Sequence, residues 1–195
     1  MATKKSATKK VTKKAVSKKA TTKTTKKIVS KSVNKNNNKS GFVKVGASAP
    51  AFNLLDQNGK PVKLDQFSNK IVVLYFYPRA MTPGCTVQAC GIRDKEKEFD
   101  KLGAVILGVS PDKPESLQKF IDKEKLNFTL LSDPEKETAK SYGAFGLKKF
   151  MGREFMGILR STFIIDRSGK IVHVMPKVDT KTHHQDVIDF IKNNL

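Results

Sequence analysis

Seven consecutive residues, Ile71-Val72-Val73-Leu74-Tyr75-Phe76-Tyr77, are β-branched, aliphatic or aromatic without a polar interruption. This run limits the possible folds more than any other feature. A strand that alternates apolar and polar residues covers one face of a sheet, whereas a strand apolar at every position is buried on both faces at a sheet's centre. Further strands are expected over 104–110, over 128–131, and in a hairpin formed by 162–165 and 170–175 around Asp166-Arg167-Ser168-Gly169. Ahead of the central strand, 52–55 and 62–64 flank Asp56-Gln57-Asn58-Gly59, whose Asn-Gly pair marks another hairpin. Helices are expected over 85–102, 114–125 with Pro114 in its first turn, 134–142 and 181–195, the last with an apolar stripe of Val187, Ile188 and Ile191. The order βαβαβ, hairpin, helix specifies an α/β fold with a central mixed β-sheet flanked by helices.

The rest of the chain is a different material. Residues 1–40 contain 14 lysines, no arginine and no acidic residue, so they carry +14 of the net charge of +20 on 195 residues. Small polar residues and lysine pairs recur there, as in Thr3-Lys4-Lys5, Thr8-Lys9-Lys10 and Thr12-Lys13-Lys14, and Asn34 to Ser40 form a polar linker. With almost nothing apolar to bury, such a segment cannot offset its ordering entropy, so 1–40 is expected to be a disordered basic tail and 41–195 the folded domain. A lysine array attracts phosphate backbones by counterion release, and also anionic lipid. Without aromatic residues to stack on bases or arginines to read guanine, binding to DNA or RNA would be independent of sequence. A solubilising tail and an address signal, nuclear in a eukaryotic host, are the other readings; a mitochondrial presequence would be arginine-rich. The apolar runs are far shorter than the roughly 18 residues that cross a bilayer, so no membrane span is expected. Two cysteines and an N terminus without an apolar secretion core point to a reducing, cytoplasmic setting, with nucleoid association through the tail.

In that setting paired cysteines suggest chemistry. Directly after the central strand come Pro78-Arg79-Ala80-Met81-Thr82-Pro83-Gly84-Cys85-Thr86-Val87-Gln88-Ala89-Cys90, a strand-to-helix turn that places Cys85 at a helix start. Unpaired N–H groups and the positive end of the helix dipole favour a thiolate there, and the thiolate is the nucleophile. Thr82, three residues earlier, can offer a hydroxyl to the sulfur or to a bound oxygen, and Pro78 and Pro83 stiffen the turn. On an ideal helix the Cα atoms of Cys85 and Cys90 lie about 8.6 Å apart and roughly 140° around the axis, while a disulfide needs less than about 7 Å. If the two pair, the helix start must unwind, which Gly91 would ease; two unrelated helix cysteines remain the other reading of the spacing.

Pro-x-x-x-Thr-x-x-Cys at Pro78, Thr82 and Cys85 resembles the active-site signature of peroxiredoxins. The string from Ala80 to Cys90, with Asn127-Phe128-Thr129-Leu130-Leu131-Ser132-Asp133 and Arg160-Ser161-Thr162-Phe163-Ile164-Ile165-Asp166, is similar to the PrxQ or bacterioferritin comigratory protein subfamily. The resemblance runs from Val43 to the C terminus and leaves the tail outside. It implies a thioredoxin-like fold and a thiol-dependent peroxidase acting on hydrogen peroxide and organic hydroperoxides in antioxidant defence. It further implies that Cys85 is the peroxidatic cysteine, oxidised to a sulfenic acid, and Cys90 the resolving cysteine that forms a Cys85–Cys90 disulfide. Thr82 would hydrogen-bond peroxide and thiolate, Pro78 would shield the sulfur, and Arg160 would stabilise the thiolate and polarise the peroxide. Thioredoxin, or glutaredoxin in some members, would be the reductant, with no cofactor or metal and a monomeric state.

Other signals carry less. His173, His183 and His184 are read as surface or capping residues, because the adjacent pair diverges by about 100° and no further ligand completes a metal set. The echo of Phe150-Met151-Gly152 in Phe155-Met156-Gly157 is read as a packed connecting loop ahead of a collar beside the site. A disulfide oxidoreductase is disfavoured by four intervening residues where Cys-x-x-Cys has two. The alternative from another class is a histone-like DNA-binding protein whose main functional element is the tail, which predicts salt-sensitive DNA binding that survives loss of both cysteines.

Overall fold

In the computed structural model, which describes residues 41–150 and 152–195, the apolar run becomes a central strand whose six side chains are all buried. The expected tail over 1–40 lies outside the described residues. The strands are β1 (Asn53–Asp56), β2 (Pro61–Lys63), β3 (Ile71–Phe76), β4 (Ala104–Ser110), β5 (Thr129–Ser132), β6 (Phe145–Phe150), β7 (Arg153–Ile158), β8 (Ser161–Ile165) and β9 (Ile171–Met175). The helices are α1 (Pro83–Asp94), α2 (Glu96–Lys101), α3 (Pro114–Glu124), α4 (Glu137–Ser141) and α5 (His183–Asn194), with a 3-10 turn at Leu64–Phe67.

Seven strands form one mixed sheet in the order β2-β1-β5-β4-β3-β8-β9. Strand β3 runs parallel to β4 and antiparallel to β8, while β4 runs parallel to β5. Because side chains alternate across a strand, Ile71, Val73 and Tyr75 face one layer with Ala89 and Ile92 of α1, Leu117 and Phe120 of α3, and Val187, Ile188 and Ile191 of α5. Val72, Leu74 and Phe76 face the other, with Phe52, Phe163 and the α4-side residues Ala139 and Tyr142. Gly108 lies opposite Tyr75 in the register, and a Cβ there would stand 2.7 Å from the Tyr75 ring and hydroxyl. Only glycine lets this tyrosine lie flat across β4 beneath α1.

Three local expectations are corrected. The helix over 85–102 is two helices, separated at Lys95, whose φ of −109° and ψ of 11° leave the helical region; its N–H bonds the Ile92 carbonyl, three residues back, and closes α1. The helix over 134–142 begins only at Glu137, because Lys136 is left-handed and the Asp133 carboxylate accepts the Thr138 and Ala139 N–H groups. The stretch read as a packed connecting loop is the antiparallel β6–β7 hairpin, paired Leu147 to Met156. Leu147, Phe155 and Met156 are exposed, and the hairpin joins the core at its base, through Phe145 and Ile158.

Candidate active site

Strand β3 delivers the chain into a short loop and then into α1, where Thr82 is the extended N-cap and Pro83 occupies the first turn. The loop is pinned to the end of β4. Tyr77 N–H donates to the Val109 carbonyl at 3.0 Å, and Ala80 N–H donates to Asp112 Oδ2 at 2.7 Å. The Ser110 hydroxyl also donates to that oxygen, at 2.9 Å, and Ser132 Oγ donates to the Asp112 carbonyl. Directly after these anchors Met81 adopts a φ of 60°, a left-handed conformation that costs about 1 kcal/mol or more for a side-chain-bearing residue. The Asp112 clamp offsets that strain and fixes where α1 begins.

Cys85 is the third residue of α1 and is 2% exposed. Its face of the helix packs on Tyr75 and Tyr77, stacked at 5.4 Å, and burial pushes both phenols above their ordinary pKa and keeps them neutral. Arg160 precedes β8, and the pairing of Ser161 with Phe76 carries it to the end of β3 where α1 starts. Its Nη2 donates to Cys85 Sγ at 3.2 Å. Its Nη1 donates to Gln88 Oε1 at 2.5 Å, and Gln88, one turn after Cys85, is fully buried. The fork therefore holds a cation on the sulfur, an arrangement suited to stabilising negative charge on the sulfur or on an oxygen beside it.

The other residues singled out from sequence are distributed around this pair. Pro78 is half-buried at the start of the loop. The Thr82 hydroxyl donates to the Arg79 carbonyl at 3.0 Å, so here it stabilises its own turn. Cys90 is half-buried, and its Sγ donates to Glu124 Oε2 at the end of α3 at 3.8 Å. Burial raises the Cys90 pKa, Glu124 and Asp94 add to this, and Arg93 opposes it. Both cysteines are free thiols on one unbroken helix.

Sequence reasoning missed Gln88, Lys148 and the role of His183. The i, i+3 spacing of Cys85 and Gln88 was the available signal, since such residues share a helix face. Lys148 on β6 is half-buried; burial and then Arg160 depress its pKa while Cys85 opposes them. His183, expected in a surface or capping role, is 1% exposed. It is enclosed between Gln88 Nε2, 3.1 Å from its Nδ1, and Thr162 Oγ1, 2.8 Å from its Nε2. Gly91 packs closely against the neighbouring His184 ring, which a Cβ would meet at 2.5 Å.

Comparison with known proteins places this geometry. The AhpC/TSA family profile matches residues 45–174. The bcp-type peroxiredoxin of Haemophilus influenzae is 53% identical over 151 residues, covering 77% of this chain and 97% of the relative. Peroxiredoxin Bcp of Escherichia coli is 49% identical over 152 residues, covering 78% and 97%. Peroxiredoxin Q of Xanthomonas campestris, a solved structure, superposes with a TM-score of 0.70 at 33% identity, over 73% of this chain and 90% of that one. The sheet order, the helix-start cysteine and these relationships agree: the chain belongs to the AhpC/TSA family and is a peroxiredoxin of the Bcp/PrxQ kind, a thiol peroxidase on a thioredoxin-like fold.

Proposed function

We propose that Cys85 reduces hydrogen peroxide and organic hydroperoxides, that Cys90 resolves the product, and that thioredoxin returns the enzyme to the dithiol. The observation that carries the reading is the Arg160 guanidinium 3.2 Å from Cys85 Sγ at the first turn of α1. The thiolate attacks one oxygen of the O–O bond, the bond breaks, and the departing alkoxide or hydroxide takes a proton, leaving Cys85 as a sulfenic acid and releasing an alcohol or water. Arg160 stabilises the charge that passes from sulfur to the leaving oxygen. Cys90 then attacks the sulfenic sulfur, forming the disulfide and expelling water, and a thioredoxin dithiol reduces it by exchange. Pro78 shields the sulfur from water, and the Thr82 hydroxyl orients the peroxide.

Two cysteines five residues apart on a regular helix cannot meet, so the first turns of α1 must open, and Cys90 must leave Glu124. Glutaredoxin is the second candidate donor, and the working form is a monomer in the cytoplasm. Peroxide-dependent NADPH oxidation with thioredoxin and its reductase tests the cycle. Cys90→Ser is expected to form the first sulfenate at the parent rate while losing about a hundredfold or more of thioredoxin-coupled turnover. Parent-level coupled turnover in that variant would exclude resolution by Cys90.

The peroxidase domain is taken to span 41–195, with 1–40 as a basic appendage that holds it near nucleic acid. The 14 lysines without a compensating carboxylate support this. A chain beginning at Gly41 is expected to keep peroxide turnover and to lose retention on duplex DNA of any sequence. The intact chain's affinity should fall with salt at a slope of about −0.9 per phosphate engaged. Equal DNA retention by both chains at low salt would rule out the tether.

A further inference from the structure

His183, the first residue of α5, sits in a continuous series of polar contacts: Thr162 Oγ1 to His183 Nε2, His183 Nδ1 to Gln88 Nε2, Gln88 Oε1 to Arg160 Nη1, and Arg160 Nη2 to Cys85 Sγ. These groups come from β8, α5, α1 and the residue ahead of β8, and Thr162, His183 and Gln88 are at most 1% exposed. Their donor and acceptor roles have one consistent solution. A guanidinium only donates, so Gln88 must turn its oxygen toward Arg160 and its amide nitrogen toward the imidazole. An amide nitrogen only donates, so His183 Nδ1 must be an unprotonated acceptor. Burial, with His184 and Arg160 nearby, pushes the His183 pKa down to about 3, so the ring is neutral and its one proton sits on Nε2. That N–H donates to Thr162 Oγ1.

We propose that His183 is a positioning residue for the peroxidatic site: its neutral Nε2–H tautomer fixes the Gln88 amide orientation, and Gln88 in turn holds the Arg160 fork on Cys85. This rests on the reading of Cys85 and Arg160 as the reacting pair. Rotating the Gln88 amide by half a turn would set its NH2 group against the guanidinium and its oxygen against the lone pair of Nδ1, two repulsions in a site closed to water. Arg160 is only half-buried, and a long side chain has many other rotamers. The fixed amide oxygen is what selects the rotamer whose second nitrogen reaches sulfur. The ring itself transfers no proton during turnover, because it stays neutral throughout the working pH range. Gln88 lies between the two cysteines on α1, so opening the helix breaks the series at its middle. The arginine is thus aligned only while α1 is folded and Cys85 is poised for peroxide.

Two measurements test this. In the intact reduced protein, nitrogen NMR of the histidines is expected to show His183 as the Nε2–H tautomer, without titration between about pH 5 and 8; an Nδ1–H tautomer or an imidazolium would overturn the proposal. The second is the single-turnover rate of Cys85 sulfenate formation. His183→Phe, which keeps a planar ring but removes the acceptor, is expected to slow it about tenfold. His183→Gln, whose amide can accept from Gln88 and donate to Thr162, is expected to recover to within about threefold of the parent. A folded Phe variant at the parent rate, or a folded Gln variant ten times slower, would overturn it. Should the Phe variant fail to fold, the tautomer and the Gln variant decide alone. An intact protein that forms no sulfenate would defeat the reading of Cys85 and Arg160 while leaving the tautomer result to report on His183.

Discussion

Cys85→Ser is expected to lower peroxide turnover at least about a thousandfold, to background, with little change in thermal stability. The serine oxygen would occupy nearly the same volume in a site 2% exposed, and α1 would keep its N-cap, Pro83 and the Asp112 clamp on Ala80. What is lost is the anionic nucleophile: a hydroxyl at a helix start next to one guanidinium is not deprotonated near neutral pH, and oxygen attacks the O–O bond poorly. The coupled assay with a thermal melt of both proteins checks this. Substantial turnover in a folded serine variant would move the chemistry away from Cys85, and Cys90, held by Glu124 with a raised pKa, would be the only thiol left to carry it.

Arg160→Met is expected to slow sulfenate formation by about 10²- to 10³-fold, the usual cost of removing one preorganised donor to a developing charge. Methionine approximates the aliphatic stem, so packing beside Gly84, whose Cβ would be 3.6 Å from Nη2, is largely retained. The loss should fall on chemistry. Arg160→Lys is expected to recover only part of the rate, because one ammonium cannot reproduce a fork that meets Gln88 with one nitrogen and Cys85 with the other. Stopped-flow detection of Cys85 oxidation measures both. If the methionine variant reacts within threefold of the parent, the Arg160 contact with Cys85 is structural and does not stabilise the charge in transfer.

The sequence carried the fold's centre because burial on both faces leaves a compositional mark: the run at β3, the strand at Ala104–Ser110 and the hairpin through Ser168-Gly169 all follow from residue type and spacing. The β6–β7 hairpin escaped because Leu147, Phe155 and Met156 are exposed among Lys148, Lys149 and Glu154, so its middle has no buried face to announce it. Nothing at Lys95 signals the break after α1, because neither glycine nor proline stands among Arg93-Asp94-Lys95-Glu96. At the site, the position of Cys85 followed from the strand-to-helix turn, whereas the nearness of Arg160, 75 residues away, depends on the pairing of β8 with β3 and came only through resemblance. His183 was misread for a similar reason. Its burial is imposed by Gln88 and Thr162 on other elements, and adjacent histidines have no periodicity that could reveal it. The Thr82 hydroxyl, expected to serve the sulfur or a bound oxygen, donates to the Arg79 carbonyl, a short-range bond typical of threonine beside a helix start that leaves its lone pairs to accept from a hydroperoxide.

The central claim is that Cys85 is oxidised first and Cys90 resolves it within the same chain. Mass spectrometry of the reduced protein after one equivalent of hydrogen peroxide tests it most directly. The expected product is monomeric and about 2 Da lighter, the loss of two hydrogens on disulfide formation, with peptide mapping that joins Cys85 to Cys90, and in Cys90→Ser a sulfenic acid confined to Cys85. A linkage between two chains, or oxidation of Cys90 while Cys85 stays a thiol, would contradict it.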